Sequence, residues 1–219
     1  MTQPTYAATA DLPALLSSRI RDVIDYPKPG VVFKDITPLL ADPAAFAAMT
    51  AEFTRIATEL GATKVVGLEA RGFILAAPVA VAGGFGFVPV RKAGKLPGEV
   101  FAVTYQLEYG EAVLEIQQDS FQPGDRVLIV DDVLATGGTA AAALQAIGEC
   151  GAQTVGVAVL LELSFLPGRA RLAAENPVLP VNALLTVGLS AAGAAGSDQP
   201  LSSGPLQRIP WKDKQREPG

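Results

Sequence analysis

The segment from Arg126 to Thr139, RVLIVDDVLATGGT, constrains the fold of this chain more than any other part of the sequence. Its residues up to Val130 are mostly aliphatic and β-branched, which is typical of a buried parallel strand. Strands of this kind present their carboxyl ends to ligands in α/β sheets, so we expect Asp131 and Asp132 at the ligand-binding edge. The alanine-rich residues that follow predict a helix. The segment therefore indicates a strand, a binding loop and a helix in succession.

The loop between this strand and this helix has the composition of an anion-binding site. Its residues are Ala135, Thr136, Gly137, Gly138 and Thr139. Glycine lets backbone N–H groups approach an anion closely, threonine hydroxyls can donate to it, and the helix adds its positive dipole end. A carboxylate does not bind a phosphate dianion directly, so we expect the loop to bind phosphate and the aspartates to face sugar hydroxyls or magnesium-bound water. A phosphorylated ribose carries both kinds of group.

Two other classes of phosphate-binding motif are missing from the sequence. It contains no G-x-x-x-x-G-K-[ST] loop, and no G-x-G-x-x-G follows a predicted strand. The remaining alternative is a plain strand, turn and helix with a solvated Asp131–Asp132 pair, in which the glycines only form the turn.

Composition restricts the chemistry further. The chain has 219 residues, of which 49% are hydrophobic, and this predicts one globular domain. It has no histidine, which excludes a Ser-His-Asp triad, an H-E-x-x-H zinc site and an imidazole base. The net charge of -5 argues against non-specific nucleic-acid binding, and the sequence has neither an apolar run of membrane-spanning length nor a signal-peptide pattern. We therefore expect a cytoplasmic protein that binds neither nucleic acid nor membrane.

Short apolar runs alternate with helical patterns along the chain, which predicts an α/β fold with a parallel sheet covered on both faces. The predicted strands are 64–68, 87–90, 126–130, 154–161 and 181–187, and the predicted helices are 11–26, 42–61 and one each after Gly72 and Gly137. Residues 27–40 are expected to form a small N-terminal cap, and 91–117 a basic loop followed by a flexible hairpin lid. Residues 1–188 would form one domain, and 189–219, rich in Ala, Gly, Ser and Pro, a mobile tail.

The Arg126–Thr139 segment resembles the phosphoribosyl-diphosphate (PRPP) binding motif of the type I phosphoribosyltransferases. Further blocks are similar, in the same order, to the adenine phosphoribosyltransferases of that superfamily: DYPKPGVVFKDITPLL, VVGLEARGF, RKAGKLPGEV, YQLEYGEAVLEIQ and LLELSFLPGRARL. The resemblance implies the type I phosphoribosyltransferase fold, a central, mostly parallel sheet flanked by helices. It also implies conversion of adenine and PRPP to AMP and pyrophosphate in purine salvage, Mg²⁺ bound mainly through substrate and water, and a homodimer.

The resemblance also assigns the groups that bind the diphosphate of PRPP. Arg71, in the EARGF turn, would reach the pyrophosphate oxygens, and in the family the Glu69–Ala70 peptide before it is typically cis. Arg91, Lys92 and Lys95 would bind the diphosphate from the basic loop. The alternatives are a surface salt bridge at Arg71 and an ordinary solvated basic loop.

The catalytic carboxylate implied by the resemblance is Glu108, which would take or orient a proton of adenine. The sequence alone does not select Glu108 over Glu111 or Glu115, because a hairpin carboxylate is often a solvated strand residue.

Four residues are assigned to the base by the same resemblance. Val32 would present backbone groups to the purine, Phe33 would stack on its ring, and Leu163 would close the opposite face. Plain core packing is the alternative for Phe33. Family members carry a basic residue after this phenylalanine, often arginine, whereas the lysine at Lys34 offers a point charge, so its detailed role stays open.

Two other functions are compatible with the sequence. A PRPP-binding transcription regulator would keep the same motif, but such proteins usually add a DNA-binding module, and the region before Asp25 is too short for a winged helix. A phosphoribosyltransferase for a 6-oxopurine such as hypoxanthine or xanthine would pair the motif with different base-binding segments.

Overall fold

A computed structural model of the chain describes residues 11–106, 111–188 and 207–209. Its helices are α1 (Leu12–Ser17), α2 (Thr37–Ala41), α3 (Pro43–Glu59), α4 (Arg71–Gly83), α5 (Gly138–Glu149) and α6 (Gly168–Glu175). Its strands are β1 (Arg21–Ile24), β2 (Val32–Asp35), β3 (Lys64–Leu68), β4 (Gly86–Lys92), β5 (Val100–Gln106), β6 (Glu111–Gln117), β7 (Arg126–Leu134), β8 (Gln153–Leu163), β9 (Val181–Val187) and β10 (Gln207–Ile209).

Eight strands in these ranges form one sheet, in the order β10-β5-β6-β4-β3-β7-β8-β9. The neighbours from β4 to β9 in that order pair in parallel. The hairpin of β5 and β6 extends the sheet antiparallel to β4, with Arg91 opposite Glu115 and Lys92 opposite Leu114. The predicted α/β fold with a mostly parallel sheet is confirmed, and β5 and β6 form the hairpin expected within 91–117, whose role as a lid stays a prediction.

Apolar clusters cover both faces of this sheet. On one face, α5 packs through Ala146 and Ile147. On the other face, α3 and α4 pack through Met49, Phe53 and Leu75. All five side chains are fully buried, and burial of each large one contributes about 1.5–3 kcal/mol. These helices therefore fix the strand ends that carry the candidate site. None of the helices in the described ranges combines the length and apolarity needed for a membrane span.

The N-terminal region differs from the predicted helix over 11–26. Helix α1 ends at Ser17, and β1 then pairs antiparallel with β2. Arg21 opposite Asp35 and Asp22 opposite Lys34 form ion pairs, with N–O distances of 2.5 and 2.7 Å. The prediction was wrong beyond Ser17 because cross-strand pairing with β2 outweighs the local helical pattern. The predicted cap at 27–40 contains β2 and all of α2 except its last residue, Ala41.

Strand β10 pairs antiparallel with β5, with Gln207 opposite Ala102 and Ile209 opposite Val100. For 207–209 the structure therefore differs from the expected mobile tail, because β5 offers an edge with backbone groups ready to pair. The remainder of 189–219 lies outside the described residues.

Candidate active site

The carboxyl ends of β3 and β7 lie side by side in the middle of the sheet. β3 leads through a cis Glu69–Ala70 peptide, as the resemblance implied, into α4 at Arg71. β7 carries Asp131 and Asp132 near its end and leads into the loop before α5. Two helix N-termini and two loops therefore meet at one edge of the sheet, where α/β folds bind ligands.

The two aspartates at this edge have different surroundings. Asp131 accepts a hydrogen bond from the Asp132 N–H at 2.9 Å. Burial of its carboxyl, followed by the negative charge of Asp132, raises the pKa of Asp131 well above its ordinary value of 3.8. Asp132 is buried and forms an ion pair with Nε of Arg71. The charged form of Asp131 is thus poorly solvated. A hydrogen-bond donor or a cation brought by a ligand would stabilise this charged form.

Gly72, in the first turn of α4, makes this close packing possible. A Cβ atom at Gly72 would lie 2.8 Å from Oδ1 of Asp131 and 2.9 Å from the carbonyl oxygen of Val130. Any side chain there would push α4 away from the aspartate. Gly72 could not be assigned to the site from the sequence, because a glycine after an arginine carries no signal of a contact with β7.

The loop from Ala135 to Thr139 lines a small cavity of about 80 Å³ beside Asp131. All five loop residues that the sequence assigned to phosphate binding contribute to this lining. Gly137 has a left-handed φ of 76° and is the N-cap of α5, where none of the described side chains caps the helix. The N–H groups of the first turn of α5 therefore remain available for an anion.

A larger cleft of about 480 Å³ lies between the cap and this edge of the sheet. Its lining combines residues that the sequence assigned to the base with residues assigned to PRPP. They are Val32, Phe33, Lys34 and Leu163 on the base side, and Arg71, Asp131, Asp132, Ala135 and Thr139 on the PRPP side. Segments distant in sequence thus surround one volume.

Phe33 and Arg71 are in contact in this cleft. The Arg71 guanidinium lies over the Phe33 ring, 5.1 Å from its centroid, and the Tyr26 ring meets Phe33 edge-on at 5.1 Å. Phe33 is half-buried and belongs to neither of the two apolar core clusters, so plain core packing does not describe its position.

Lys34 also contributes to the cleft lining, but its ammonium group is bound to Asp22. Nζ of Lys34 donates to both carboxylate oxygens of Asp22, at 2.7 and 2.8 Å. This contact joins the two strands of the hairpin that carries Phe33. The structure thus gives Lys34 a part in holding Phe33 in place.

The basic loop contacts Glu69 through three residues, Arg91, Lys92 and Lys95. None of these three residues is in the lining of the cleft described above. The Lys92 N–H donates to Glu69 at 2.9 Å, Nζ of Lys95 forms an ion pair with it, and Nε of Arg91 lies 3.3 Å away. Burial of the Glu69 carboxyl opposes its charge, but the hydrogen bonds from Lys95 and the Lys92 N–H prevail and lower its pKa. Glu69, to which the sequence pattern gave no role, anchors the basic loop beside the cleft.

Glu108 lies outside the described residues, between β5 and β6. Of the two other candidate carboxylates of the hairpin, Glu115 is buried and accepts a hydrogen bond from the Gly94 N–H at 3.0 Å. This bond holds the basic loop against β6. Glu111 is exposed at the start of β6. Glu115 therefore has a structural role in the hairpin, whereas Glu111 is exposed to solvent.

A magnesium ion in this cleft would lie beside the carboxylates of Asp131 and Asp132, which can accept hydrogen bonds from its bound water. Within 11–106 and 111–188, no cluster of three or more acidic or cysteine side chains could hold a metal by itself. Two adjacent carboxylates suit an ion that keeps several waters and takes its remaining ligands from phosphate oxygens. The donor set therefore fits Mg²⁺ that enters with a phosphorylated substrate.

Comparison with known proteins places the chain in a family. Residues 39–164 match the model of the phosphoribosyl transferase domain. The adenine phosphoribosyltransferase of Streptomyces coelicolor is 62% identical over 187 residues, which cover 85% of this chain and 100% of that protein. The crystal structure of adenine phosphoribosyltransferase from Rhodothermus marinus has a TM-score of 0.75 and 46% identity, covering 82% of this chain and 100% of that one. The Saccharomyces cerevisiae adenine phosphoribosyltransferase, complexed with an imino-altritol bisphosphate and adenine, has a TM-score of 0.75 and 39% identity, covering 81% of this chain and 100% of that one. By sequence and by fold, this chain belongs to the adenine phosphoribosyltransferases.

Proposed function

We propose that this chain transfers the phosphoribosyl group of PRPP to adenine, which gives AMP and pyrophosphate in purine salvage. The observation that carries the proposal is the cleft of about 480 Å³, in which an aromatic ring, two aspartates and the phosphate-binding loop share one lining. These three parts match a purine, a ribose and a phosphate. The complex of the S. cerevisiae relative with adenine and a bisphosphate supports the same combination of ligands.

The ribose 5-phosphate would be held by two neighbouring parts of the site. The N–H groups at the start of α5 and the hydroxyls of Thr136 and Thr139 would bind the phosphate monoester. Asp131 and Asp132 would accept hydrogen bonds from the ribose hydroxyls. These donors would stabilise the charge of Asp131, whose pKa is raised by burial and by Asp132. Fixing both ends of the sugar phosphate positions the anomeric carbon for attack.

Arg71 would stabilise the departing pyrophosphate. Its guanidinium would exchange the Asp132 carboxylate for phosphate oxygens, which it can bind bidentately. The exchange would also move the guanidinium off the Phe33 ring and free that face for the purine. Arg91 and Lys95, anchored by Glu69, would add positive charge at the same side of the cleft.

Adenine would bind between Phe33 and Leu163, with the backbone of Val32 at the purine edge. All three residues line the cleft, and half-burial of Phe33 leaves part of its ring accessible. Stacking suits a purine because it needs no charge.

The bond changes follow from this placement. N9 of adenine attacks C1′ of the ribose while the bond from C1′ to the pyrophosphate oxygen breaks, and Glu108 would accept or orient the proton that adenine loses. Asp131 and Asp132 would orient Mg²⁺ through its bound water, and the ion, held mainly by substrate and water, would neutralise charge on the diphosphate. The cap and the hairpin would exclude water, which would otherwise hydrolyse the cationic sugar.

One series of assays tests this proposal against its alternatives. The protein is mixed with PRPP, Mg²⁺ and one purine base at a time, and nucleotide formation is followed by chromatography. We expect AMP from adenine and no nucleotide from hypoxanthine, guanine or xanthine. Formation of IMP, GMP or XMP would assign the chain to a 6-oxopurine, and PRPP binding without turnover of any base would favour a regulator.

Replacing Glu108 by glutamine is expected to lower kcat about 100-fold, because general acid–base catalysis by one group contributes about this much. The measurement is steady-state AMP formation at saturating adenine and PRPP. Glu111→Gln, in the same hairpin, is the matched control and should leave kcat unchanged. A loss with Glu111→Gln and not with Glu108→Gln would move the catalytic role to Glu111.

Replacing Lys34 by glutamine is expected to raise KM for adenine about threefold, because a partly exposed ion pair contributes about 0.2–1 kcal/mol. The KM for PRPP should stay constant. If Lys34 acts by holding β1 and β2 together, Asp22→Asn removes the same ion pair and raises KM for adenine equally. An effect of Lys34→Gln alone would mean that Lys34 contacts the substrate directly.

We also propose that the chain forms a homodimer and acts in the cytoplasm, as the resemblance to the family implies. Sedimentation equilibrium tests the assembly, and fractionation of cells that express the protein tests its compartment. A monomer, or a protein found in the membrane fraction, would refute the respective proposal.

A further inference from the structure

The first turn of α6 packs against the phosphate-binding loop through a pair of glycines. A Cβ atom at Gly168 would lie 2.3 Å from the carbonyl oxygen of Ala135 and 2.9 Å from Cγ of Leu134. In the opposite direction, a Cβ atom at Gly137 would lie 2.8 Å from the carbonyl oxygen of Gly168 and 3.0 Å from its Cα. The two backbones are therefore in direct contact, and neither position has room for a side chain.

Arg169 fixes the start of α6 to the sheet. Its Nε and Nη2 donate to the two carboxylate oxygens of Glu162 at 2.8 and 2.6 Å, and its Nη1 donates to the carbonyl oxygen of Val181 at 3.0 Å. Glu162 is buried in β8, directly opposite Leu134 of β7, and Val181 begins β9. The first turn of α6 is thus tied to β8, which pairs with β7, and to β9, which pairs with β8, and these contacts hold it against the loop.

This support acts on the part of the loop that sets the direction of the anion-binding groups. Gly137 is the residue with a left-handed φ, and the N–H groups of α5 follow it directly. A displacement of the backbone between Ala135 and Gly137 would therefore turn these N–H groups away from a bound anion. Gly168 itself is in the lining of neither cavity described above, so any effect on a ligand must pass through the loop.

We propose that Gly168 is a positioning residue of the 5′-phosphate subsite, and that Arg169 and Glu162 keep it in place against the loop. This inference rests on the function proposed above, since it assigns the loop to the phosphate monoester of the ribose. It places part of the specificity for the monoester in a helix that does not touch the ligand.

Gly168→Ala in the full-length protein tests the inference by ligand binding. We expect calorimetry to show about 10- to 100-fold weaker binding of ribose 5-phosphate, because a misplacement of about 1 Å has effects of this size, and pyrophosphate binding within about twofold of the parent. Gly148→Ala is the matched control, since Gly148 is exposed in α5 with open space at its Cβ position, and it should bind both ligands like the parent. Unchanged ribose 5-phosphate binding, or an equal loss of both ligands, would overturn the proposal.

Arg169→Lys provides a second variant in case Gly168→Ala does not fold. Lysine keeps the charge but loses the two-pronged contact with Glu162, so we expect about 3- to 10-fold weaker ribose 5-phosphate binding with pyrophosphate binding unchanged. Binding like the parent, or an equal loss of both ligands, would overturn the proposal here too. Because these measurements need no turnover, a chain that binds ribose 5-phosphate but forms no AMP would refute the proposed function without deciding this inference.

Discussion

Replacing Asp131 by asparagine is expected to lower kcat/KM for PRPP about 1000-fold, because two charge-assisted hydrogen bonds to the ribose contribute about 1.5–3 kcal/mol each. Asparagine keeps an acceptor for the Asp132 N–H, which lies 2.9 Å from Asp131 in the parent, so the local backbone keeps its hydrogen bond. The measurement is the initial rate with PRPP varied at saturating adenine. A rate within tenfold of the parent would contradict the assignment of Asp131 to the ribose.

The same substitution is expected to stabilise the protein at neutral and higher pH. Burial and the charge of Asp132 raise the pKa of Asp131 above its ordinary value of 3.8, so between these two values the folded state binds more protons than the unfolded state. The free energy of unfolding therefore falls as pH rises through this window. Asparagine does not ionise, so Asp131→Asn removes this decrease in stability. We expect Tm to rise by about 2 °C or more at pH 8, and by less near pH 4, in differential scanning calorimetry.

Asp125→Asn is the matched control. The pKa of Asp125, just before β7, is shifted in the opposite direction to that of Asp131. Burial opposes the charge of Asp125, but hydrogen bonds from the Gln122 N–H, Thr63 and Lys64 prevail and lower its pKa. Its stabilising contribution is present above the ordinary aspartate pKa and is lost as pH falls through the lowered value. Asp125→Asn should therefore lower Tm at pH 8 and leave KM for PRPP unchanged. A lower Tm for Asp131→Asn at pH 8 would refute the unfavourable charge at that position.

The centre of the site could be predicted from the sequence because its residues are contiguous. Strand β7, Asp131, Asp132 and the loop before α5 follow one another, so local pattern alone places them at a strand end. The resemblance added the base side, and the structure brings Phe33 and Leu163 into the same cleft. Strand pairing in the cap was not predicted, because the ion pairs of β1 with β2 join residues that are separate in sequence.

The residues that hold the site in place could not be predicted from the sequence either. Gly72 and Gly168 matter because other backbones approach them, and no composition or spacing encodes those approaches. Glu69 attracts a basic loop that begins at Arg91, on the neighbouring strand β4. The sequence predicted positive charge near the diphosphate, whereas the carboxylate that orders this charge emerged only from the fold.

Replacing Arg71 by alanine is expected to lower kcat/KM for PRPP about 1000-fold, because a fixed cation that stabilises a developing oxyanion contributes about 10²–10³. In the parent, the guanidinium balances the buried Asp132 carboxylate. Without it, two aspartates would leave unopposed negative charge where an anionic diphosphate must enter. Arg71→Lys restores the charge but not the planar fork, so we expect an intermediate loss of about 10- to 100-fold.

The role of Arg71 follows from which ligand, pyrophosphate or ribose 5-phosphate, binds more weakly to Arg71→Ala. Arg71→Ala should weaken pyrophosphate binding far more than ribose 5-phosphate binding in calorimetry, the reverse of the pattern expected for Gly168→Ala. Arg55→Ala is the matched control, because Arg55 forms ion pairs with Glu52 and Glu59 on the exposed side of α3 and should leave both affinities unchanged. If Arg71→Ala instead weakens ribose 5-phosphate alone, the arginine serves only to hold Asp132 against the ribose, and the pyrophosphate must be bound by the loop that Glu69 anchors.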